Sequence, residues 1–431
     1  MKLSKNLSKI ASTLPGRGTA KLLTASEKNS EYKAMIRTLT GENKSSDLSP
    51  EIMNDALLDQ TCKSLSAAKQ IDVIHDPSDI RRPHSKKTEN LGKVRDLSGN
   101  VINGYSTHNA IAIVPNDKTV HLLSHVSYSN KDPKFLKREI IDKLEKNREF
   151  EGDAEAKELY ESGDYFNKKT LSLGEIEKIG KSLKAANPEA LITHILDREF
   201  DDDDYLNLID QDLKQDFVTR SKKSRALDIK GDDDKKIRLI NADFENEAQK
   251  PFQNLKIAKQ CIQDGKIIIS WGDFDGYNAV KIKIEDRSGV RVFKSDMLLL
   301  TNKKINTLED AYQVYITYLS RAKIECVFKF LKEGLGWEEM QIRDFKAIQN
   351  LLSICFYVAS YLYEVGKEKA YDDYAILLSD LGGGKGKITR HFITQGIREL
   401  LNYYRIGRML KDKEVSQEQQ NELCETFEIT L

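Results

Sequence analysis

Neither sign of charge is in surplus in this sequence: 68 Lys and Arg stand against 68 Asp and Glu over 431 residues. Attachment to nucleic acid through overall charge is thereby excluded, and such a partner would have to be met by local clusters. Cysteine is scarce. Cys62, Cys261, Cys326, Cys355 and Cys424 are odd in number, widely spaced and without a C-x-x-C pair. This excludes a disulfide scaffold and a thiolate zinc site, and predicts buried free thiols in a reducing cytosol. The seven histidines form no H-E-x-x-H, so zinc is not suggested from that side either. Long apolar runs are missing too. The longest, Leu351 to Tyr363, falls short of the ~20 residues a bilayer needs and predicts a buried helix. No apolar core of about 7–15 residues opens the chain, so no signal peptide is expected, and no repeat of about 20–50 residues stands out.

What is present is a soluble, globular composition, 39% hydrophobic and 32% charged, on a chain long enough for two or three units with a real core. Charge is uneven along it. Residues 1–50 hold nine bases (Lys2, Lys5, Lys9, Arg17, Lys21, Lys28, Lys33, Arg37, Lys44) and four acids (Glu27, Glu31, Glu42, Asp47). Further bases cluster at Arg220 to Arg225 and from Lys385 to Lys413, while acids gather at Asp201 to Asp204 and Asp232 to Asp234. A basic cluster alone is ordinarily a solvated face.

The first seventy residues read as short helices. Ser49-Pro50 predicts a helix start, followed by Ile52, Met53, Ala56 and Leu57 at helical spacing. From residue 71 strands take over: Ile71 to Asp76, broken by Pro77, then Gly104 to Val114 and Thr119 to Tyr128 around a Pro115-Asn116-Asp117 turn. A charged helix is expected from about Lys134 to Glu149, then a strand from Leu191 to Leu196 ending at Asp197, a helix start at Asp201 to Asp204, and a strand at Phe217 to Thr219. Residues 225–300 read as a β-rich insertion with strands at Lys266 to Trp271, Ala279 to Ile284 and Met297 to Leu300. One long helix is predicted from Leu308 to Glu333, ended by Gly334, and another from Arg343 to Val365. The alternation makes a mixed α/β core.

Three acids stand where a site can be built. Asp76 and Asp197 each close a strand, and Glu325 lies along the long helix. Carboxylate oxygens are the hard ligands that Mg²⁺ and Mn²⁺ prefer, and a pair of such ions can serve phosphoryl transfer. Asp79 competes with Asp76, which is preferred for its place at the strand end. On an unbroken helix turning ~100° per residue, Tyr318, Arg321, Glu325, Lys329 and Lys332 share an arc of about 80°, opposite an apolar stripe of Ile324, Val327 and Leu331. A phenol, a guanidinium and two ammoniums around a carboxylate can bind phosphate beside a metal; an amphipathic helix laced with salt bridges has the same pattern.

Tyr318-x-x-Arg321-x-x-x-Glu325 with Lys332 resembles the Y-R-E-K signature of the transposases of insertion-sequence family four, at its full spacing. Leu196 to Asp201 resembles the family's second-aspartate segment, Phe217 to Lys222 the strand after it, and Asp76-Pro77-Ser78-Asp79 with Gly104 to His108 the first-aspartate region. The resemblance runs from about residue 7 to about residue 410. It implies an α/β, RNase H-like catalytic core with a β-rich insertion, between helical N-terminal and C-terminal regions. Residues 1–70 would be a helical DNA-binding domain, 71–345 the catalytic domain with its insertion at about 225–300, and 346–431 a helical dimerisation region. Asp76, Asp197 and Glu325 would hold two Mg²⁺, with Mn²⁺ as substitute. Tyr318, Arg321, Lys329, Lys332, Arg198 and Arg220 would contact DNA. The implied activity is cut-and-paste transposition: cleavage at terminal inverted repeats, a hairpin intermediate, and joining of the 3′-OH to target DNA by a synaptic homodimer, in a bacterial cytoplasm at the nucleoid.

The sequence departs from the family in three places. Met297 stands where many relatives have a tryptophan that holds a flipped base; methionine packs on a base with less surface and no ring stack. Cys326 replaces a frequent glutamate, and Leu381-Gly382-Gly383-Gly384 lacks the usual Pro-Gly that follows. Gly382 to Lys387 fails the phosphate-loop pattern at Leu381 and Ile388, so ATP use is not expected. His75 is read as a core residue or a neighbour of the site, and Trp271 and Trp337 as core or DNA-facing. Three rival readings are a transposase-derived DNA-binding protein without catalysis, a nuclease of the same fold without strand transfer, and a structural or protein-interaction module with neither metal dependence nor DNA affinity.

Overall fold

The computed structural model describes residues 5–22, 26, 29–42, 48–116, 119–146, 154–229, 232–257, 260–274, 276–364, 372–412, 416, 418–419 and 421. Lys2, Glu27, Lys28, Lys44, Asp47, Asp117, Glu149, Val365, Lys413 and Cys424 of the sequence reading lie outside them, as do the side chains of Lys5, Cys261 and Asp232 to Asp234. In chain order the helices are α1 (Lys5–Arg17), α2 (Asn29–Thr40), α3 (Pro50–Ser64), α4 (Arg138–Lys146), α5 (Ala154–Ser162), α6 (Lys168–Ala186), α7 (Asp203–Asn207), α8 (Leu308–Leu319), α9 (Ala322–Lys329), α10 (Phe345–Glu364), α11 (Asp372–Leu381) and α12 (Arg390–Asp412). The strands are β1 (Gln70–Arg81), β2 (Gly92–Arg95), β3 (Val101–Val114), β4 (Thr119–Tyr128), β5 (Leu191–Leu196), β6 (Asp216–Arg220), β7 (Ala226–Ile229), β8 (Asp232–Arg238), β9 (Asn246–Ile257), β10 (Gln260–Phe274), β11 (Tyr277–Asp286) and β12 (Met297–Thr301). They divide into two compact units, Ser49–Phe328 and a second built from Met1–Leu48 with Lys329–Leu431. Among the described residues no helix is long and apolar enough to cross a membrane.

Ser49–Phe328 is mixed α/β around a ten-stranded sheet in the order β2-β3-β1-β5-β6-β12-β11-β10-β9, with β4 also on β3. β1, β5 and β6 run parallel, and the flanking pairs are antiparallel. Side chains alternate across β1. Ile71 and Val73 join Ala110, Ala112 and Ile192 under Leu58 and Cys62 of α3 and Ile179 and Leu183 of α6. Asp72, Ile74 and Asp76 therefore face the other side, over part of which α8 packs against β5, β6 and β12. Truncating Leu58 would remove a buried contact of roughly 2–5 kcal/mol.

Ser49 caps α3 as the sequence suggests, its side chain accepting from the Ile52 amide. The buried stripe is Met53, Asn54, Leu57, Leu58, Thr61 and Cys62, while Ile52 and Ala56 are exposed. Asn54 explains the rotation: its Nδ2 donates to Ser124 Oγ and its Oδ1 accepts from the His125 amide of β4, anchoring a polar residue within the core face. Pro77 does not end β1. Among the described residues β1 has no partner on the β5 side beyond Ile74, so the missing N–H is tolerated, and pairing with β3 continues to Arg81. Asp76 thus lies within a strand.

The 225–300 segment is rich in strands. β7 and β8 form a separate two-stranded sheet, but β12 pairs with β6 and carries β11, β10 and β9 onto the main sheet. Trp271 is buried in β10. The predicted helix over Leu308 to Glu333 is two helices. Short closures from the amides of Ser320, Arg321, Lys323 and Ile324 to residues three back tighten the chain between α8 and α9, and a π turn follows at Phe330–Gly334.

The second unit is helical. Ile10 and Leu14 of α1, Met35 and Leu39 of α2, Trp337, and Ile348, Leu351, Leu352, Cys355 and Phe356 of α10 are buried. The apolar run from Leu351 is indeed a buried helix, fixed by Asn350, whose Nδ2 donates to the Leu39 carbonyl at 2.7 Å. Gly382 and Gly396 let α11 and α12 meet: a Cβ on either would collide with the backbone of the other helix. Cys62 and Cys355 are buried thiols, as expected; Cys326 is exposed.

Candidate active site

Three elements far apart in the chain converge on one guanidinium. β1 supplies Asp76, the end of β5 supplies Asp197, and the first turn of α9 supplies Glu325. Arg321, at the break between α8 and α9, reaches all three. Its Nη2 lies 3.0 Å from Asp197 Oδ2 and 3.6 Å from Asp76 Oδ1, and its Nη1 lies 3.1 Å from Glu325 Oε1. Tyr318, buried on α8, donates its hydroxyl to Asp197 Oδ1 at 3.2 Å. Asp79, the competitor for the first position, belongs to the alternate set of β1 side chains and accepts from Ser106 Oγ.

Charge in the cluster is unbalanced. Asp76 is pushed up to about 7, first by burial, with Arg321 opposing and Asp197, Glu199 and Glu325 adding to the rise. The Arg321 guanidinium is raised: burial works against its charge, but Asp76 and Asp197 outweigh it. The Tyr318 phenol is raised by burial and by Asp197. Half-occupied by its proton near neutrality, Asp76 marks a place that lacks positive charge.

The remaining sequence candidates separate. Arg198 follows Asp197 and is half-buried, with no hydrogen-bond partner for its Nε among the described residues. Arg220 and Met297 line one cavity of about 280 Å³ with Phe293 and Tyr315. Lys329 and Lys332 belong to the helical unit, where they pair with Glu333 at 3.7 Å and Glu338 at 3.4 Å. The tightened turn at Ser320 and Arg321 shifts the helical phase, so the common arc drawn for an unbroken helix does not describe these residues.

The basic and acidic runs after β5 and β6 are partners. Asp201 Oδ1 accepts from Arg225 at 2.7 Å, and its Oδ2 accepts from Ser221 Oγ and the Lys222 amide. Asp202 caps α7, as its position suggested.

Behind Asp76 runs a histidine ladder that the sequence announced only at His75 and His108. Gln215 Nε2 donates to the Gly180 carbonyl, so its Oε1 accepts from His194 Nε2 at 2.7 Å. His194 Nδ1 then accepts from His75 Nε2 at 3.0 Å, and His75 Nδ1 from His108 Nε2 at 3.4 Å. Ser172 closes the chain at His108 Nδ1, 3.1 Å away. This bonding assigns all three rings as neutral Nε2–H tautomers, and burial lowers each of their pKa values, that of His108 to about 3 and that of His194 to about 4. Nothing local in the sequence marks Gln215 or Ser172.

Residues 175–361 match the family model of the transposase DDE domain. The matched span runs from α6 into α10 and contains Asp197, Tyr318, Arg321 and Glu325. It supports a DDE transposase. No curated protein matches the chain.

Proposed function

We propose that this chain is a cut-and-paste DNA transposase with an RNase H-like core, cleaving DNA at terminal inverted repeats and joining the freed 3′-OH to target DNA. The observation that carries it is the meeting of Asp76, Asp197 and Glu325 on Arg321, inside a chain whose 175–361 span matches a transposase DDE domain. Among the described residues no three His, Cys, Asp or Glu side chains stand close enough to form a ready metal site. The donor chemistry nevertheless fits hard divalent ions: three carboxylates surround one guanidinium and outnumber its charge. Asp76, Asp197 and Glu325 would hold two Mg²⁺, or Mn²⁺, which would activate the attacking oxygen and stabilise the leaving one.

Tyr318 orients Asp197, and Arg321 and Arg198 would contact a DNA phosphate; Lys329 and Lys332, in the helical unit, are proposed as DNA contacts of their own. Arg220 and the Met297 cavity would take a base displaced as a hairpin forms. The exposed Leu400, Tyr403, Tyr404, Ile406 and Met409 of α12 are the face we assign to pairing of two subunits in a synaptic complex.

Labelled DNA carrying the flanks of this reading frame, incubated with protein and Mg²⁺, should be cut at the repeat ends. Glu325→Gln should lower the rate by roughly 10²–10³-fold or more. A hairpin band on a denaturing gel supports the Met297 route. Binding without cleavage by both proteins, in Mg²⁺ and in Mn²⁺, overturns the catalytic reading.

A further inference from the structure

We infer that Arg321 is an internal counter-ion: without DNA it holds the place of divalent metal among Asp76, Asp197 and Glu325, and metal must displace it. The inference rests on the reading of these three carboxylates as the metal ligands. Its own support is the way the guanidinium is bonded. A well-fitted arginine meets a carboxylate as a fork, two parallel N–H bonds to one partner. Here Nη2 is divided between Asp197 and Asp76, Nη1 goes to Glu325, and the buried Nε has no hydrogen-bond partner among the described residues. The group is placed for its charge rather than its shape. Three carboxylates share a single positive charge.

Such an arrangement favours exchange on both sides. A divalent ion brings more charge in a compact form to the carboxylates. The displaced guanidinium gains a partner with fork geometry if a DNA phosphate lies beside it. The fold allows the movement, because Arg321 stands at the break between α8 and α9 rather than inside either helix. Tyr318 keeps its hydrogen bond to Asp197 and retains that ligand's position while Arg321 leaves. Metal entry and phosphate capture are then coupled, each easing the other.

The test is Mn²⁺ binding to the full chain without DNA, followed by calorimetry at pH 7.5. Wild type, Arg321→Gln and Arg321→Lys are compared, with Asp197→Asn introduced into each as the control for the site. Arg321→Gln should bind Mn²⁺ roughly tenfold more tightly than wild type, and Arg321→Lys, which keeps the charge, should stay near wild type. Melting gives a second readout: Mn²⁺ should raise Tm more in Arg321→Gln than in wild type, even if that variant starts lower. Equal or weaker binding by Arg321→Gln, or equal tightening in Arg321→Lys, overturns the counter-ion while Asp197-dependent binding leaves the metal reading intact. No Asp197-dependent Mn²⁺ binding in any protein overturns both.

Discussion

Two carboxylate–arginine clusters lie within a few residues of each other in the chain after β5, and they are built on opposite plans. Around Asp201 the charges close. The carboxylate is fully buried and accepts from Arg225, Ser221 and the Lys222 amide, while Arg225 also meets Asp203. Around Asp197 they do not: three carboxylates divide one guanidinium, and Asp76 is pushed up to about 7 by burial and its acidic neighbours. Both clusters use the same residue types. In each, one guanidinium is divided among carboxylates. The difference lies in the further donors, since Asp201 also accepts from Ser221 and the Lys222 amide, whereas Asp76, Asp197 and Glu325 have Arg321 as their shared cation. A cluster with surplus negative charge is where a further cation is accommodated.

The sharpest way to break this comparison is to remove one carboxylate from each cluster. Asp201→Asn leaves Arg225 largely buried with only Asp203 opposite, and should cost about 3–5 kcal/mol, the range for a broken buried pair. Urea titration at pH 7.5 measures it. A loss under about 1 kcal/mol would mean that the Asp201 cluster is no more structural than the other.

That balance was not legible in the sequence. Asp201 to Asp204 and Arg220 to Arg225 read as separate charge runs, and only the parallel pairing of β5 with β6 brings them together. What could be read was whatever follows from local pattern. β3, β4, β5, β6 and β12 were visible as apolar runs between turn signals, and α10 as an apolar stretch too short for a membrane. Asp197 at the end of β5 was placed correctly for the same reason. The errors share one cause, a tertiary partner that overrides a local rule. Pro77 ought to stop a strand but sits where one neighbour is absent. Ile52 ought to be buried, but Asn54 takes the inner face through its bonds to β4. No glycine or proline lies between Tyr318 and Glu325 to warn of the tightened turn at Ser320 and Arg321.

At the other cluster the same kind of substitution should stabilise. The Asp76 carboxyl has a folded pKa raised from 3.8 to about 7. A raised acid contributes its stability below the unfolded value and loses it as pH rises from there through the folded one, because over that window the unfolded state has released a proton that the folded state still holds. Asp76→Asn removes that loss. The variant should match wild type near pH 4 and exceed it by on the order of 2 kcal/mol at pH 8.5. Melting across that range decides the matter, and a variant less stable than wild type at pH 8.5 would show that Asp76 is a balanced partner after all.

The smallest effect separates the two plans most finely. Asp197 accepts one hydrogen bond from Tyr318 and shares Arg321 with two other acids, whereas Asp201 has several donors to itself. Tyr318→Phe removes a single neutral donor of ordinary length, 3.2 Å, and should cost about 0.5–1.5 kcal/mol. Asp197 is half-exposed, so water can replace part of the lost bond and the lower end is expected. In the Asp201→Asn background the cost should be unchanged, since the two sites share no partner. In the Asp76→Asn background it should fall. With one acid fewer to share, Arg321 can turn toward Asp197 and replace the missing donor. A double-mutant cycle that gave the same Tyr318→Phe cost in both backgrounds would show that the three carboxylates do not compete for Arg321, and the distinction between a closed and an open cluster would then lose its basis.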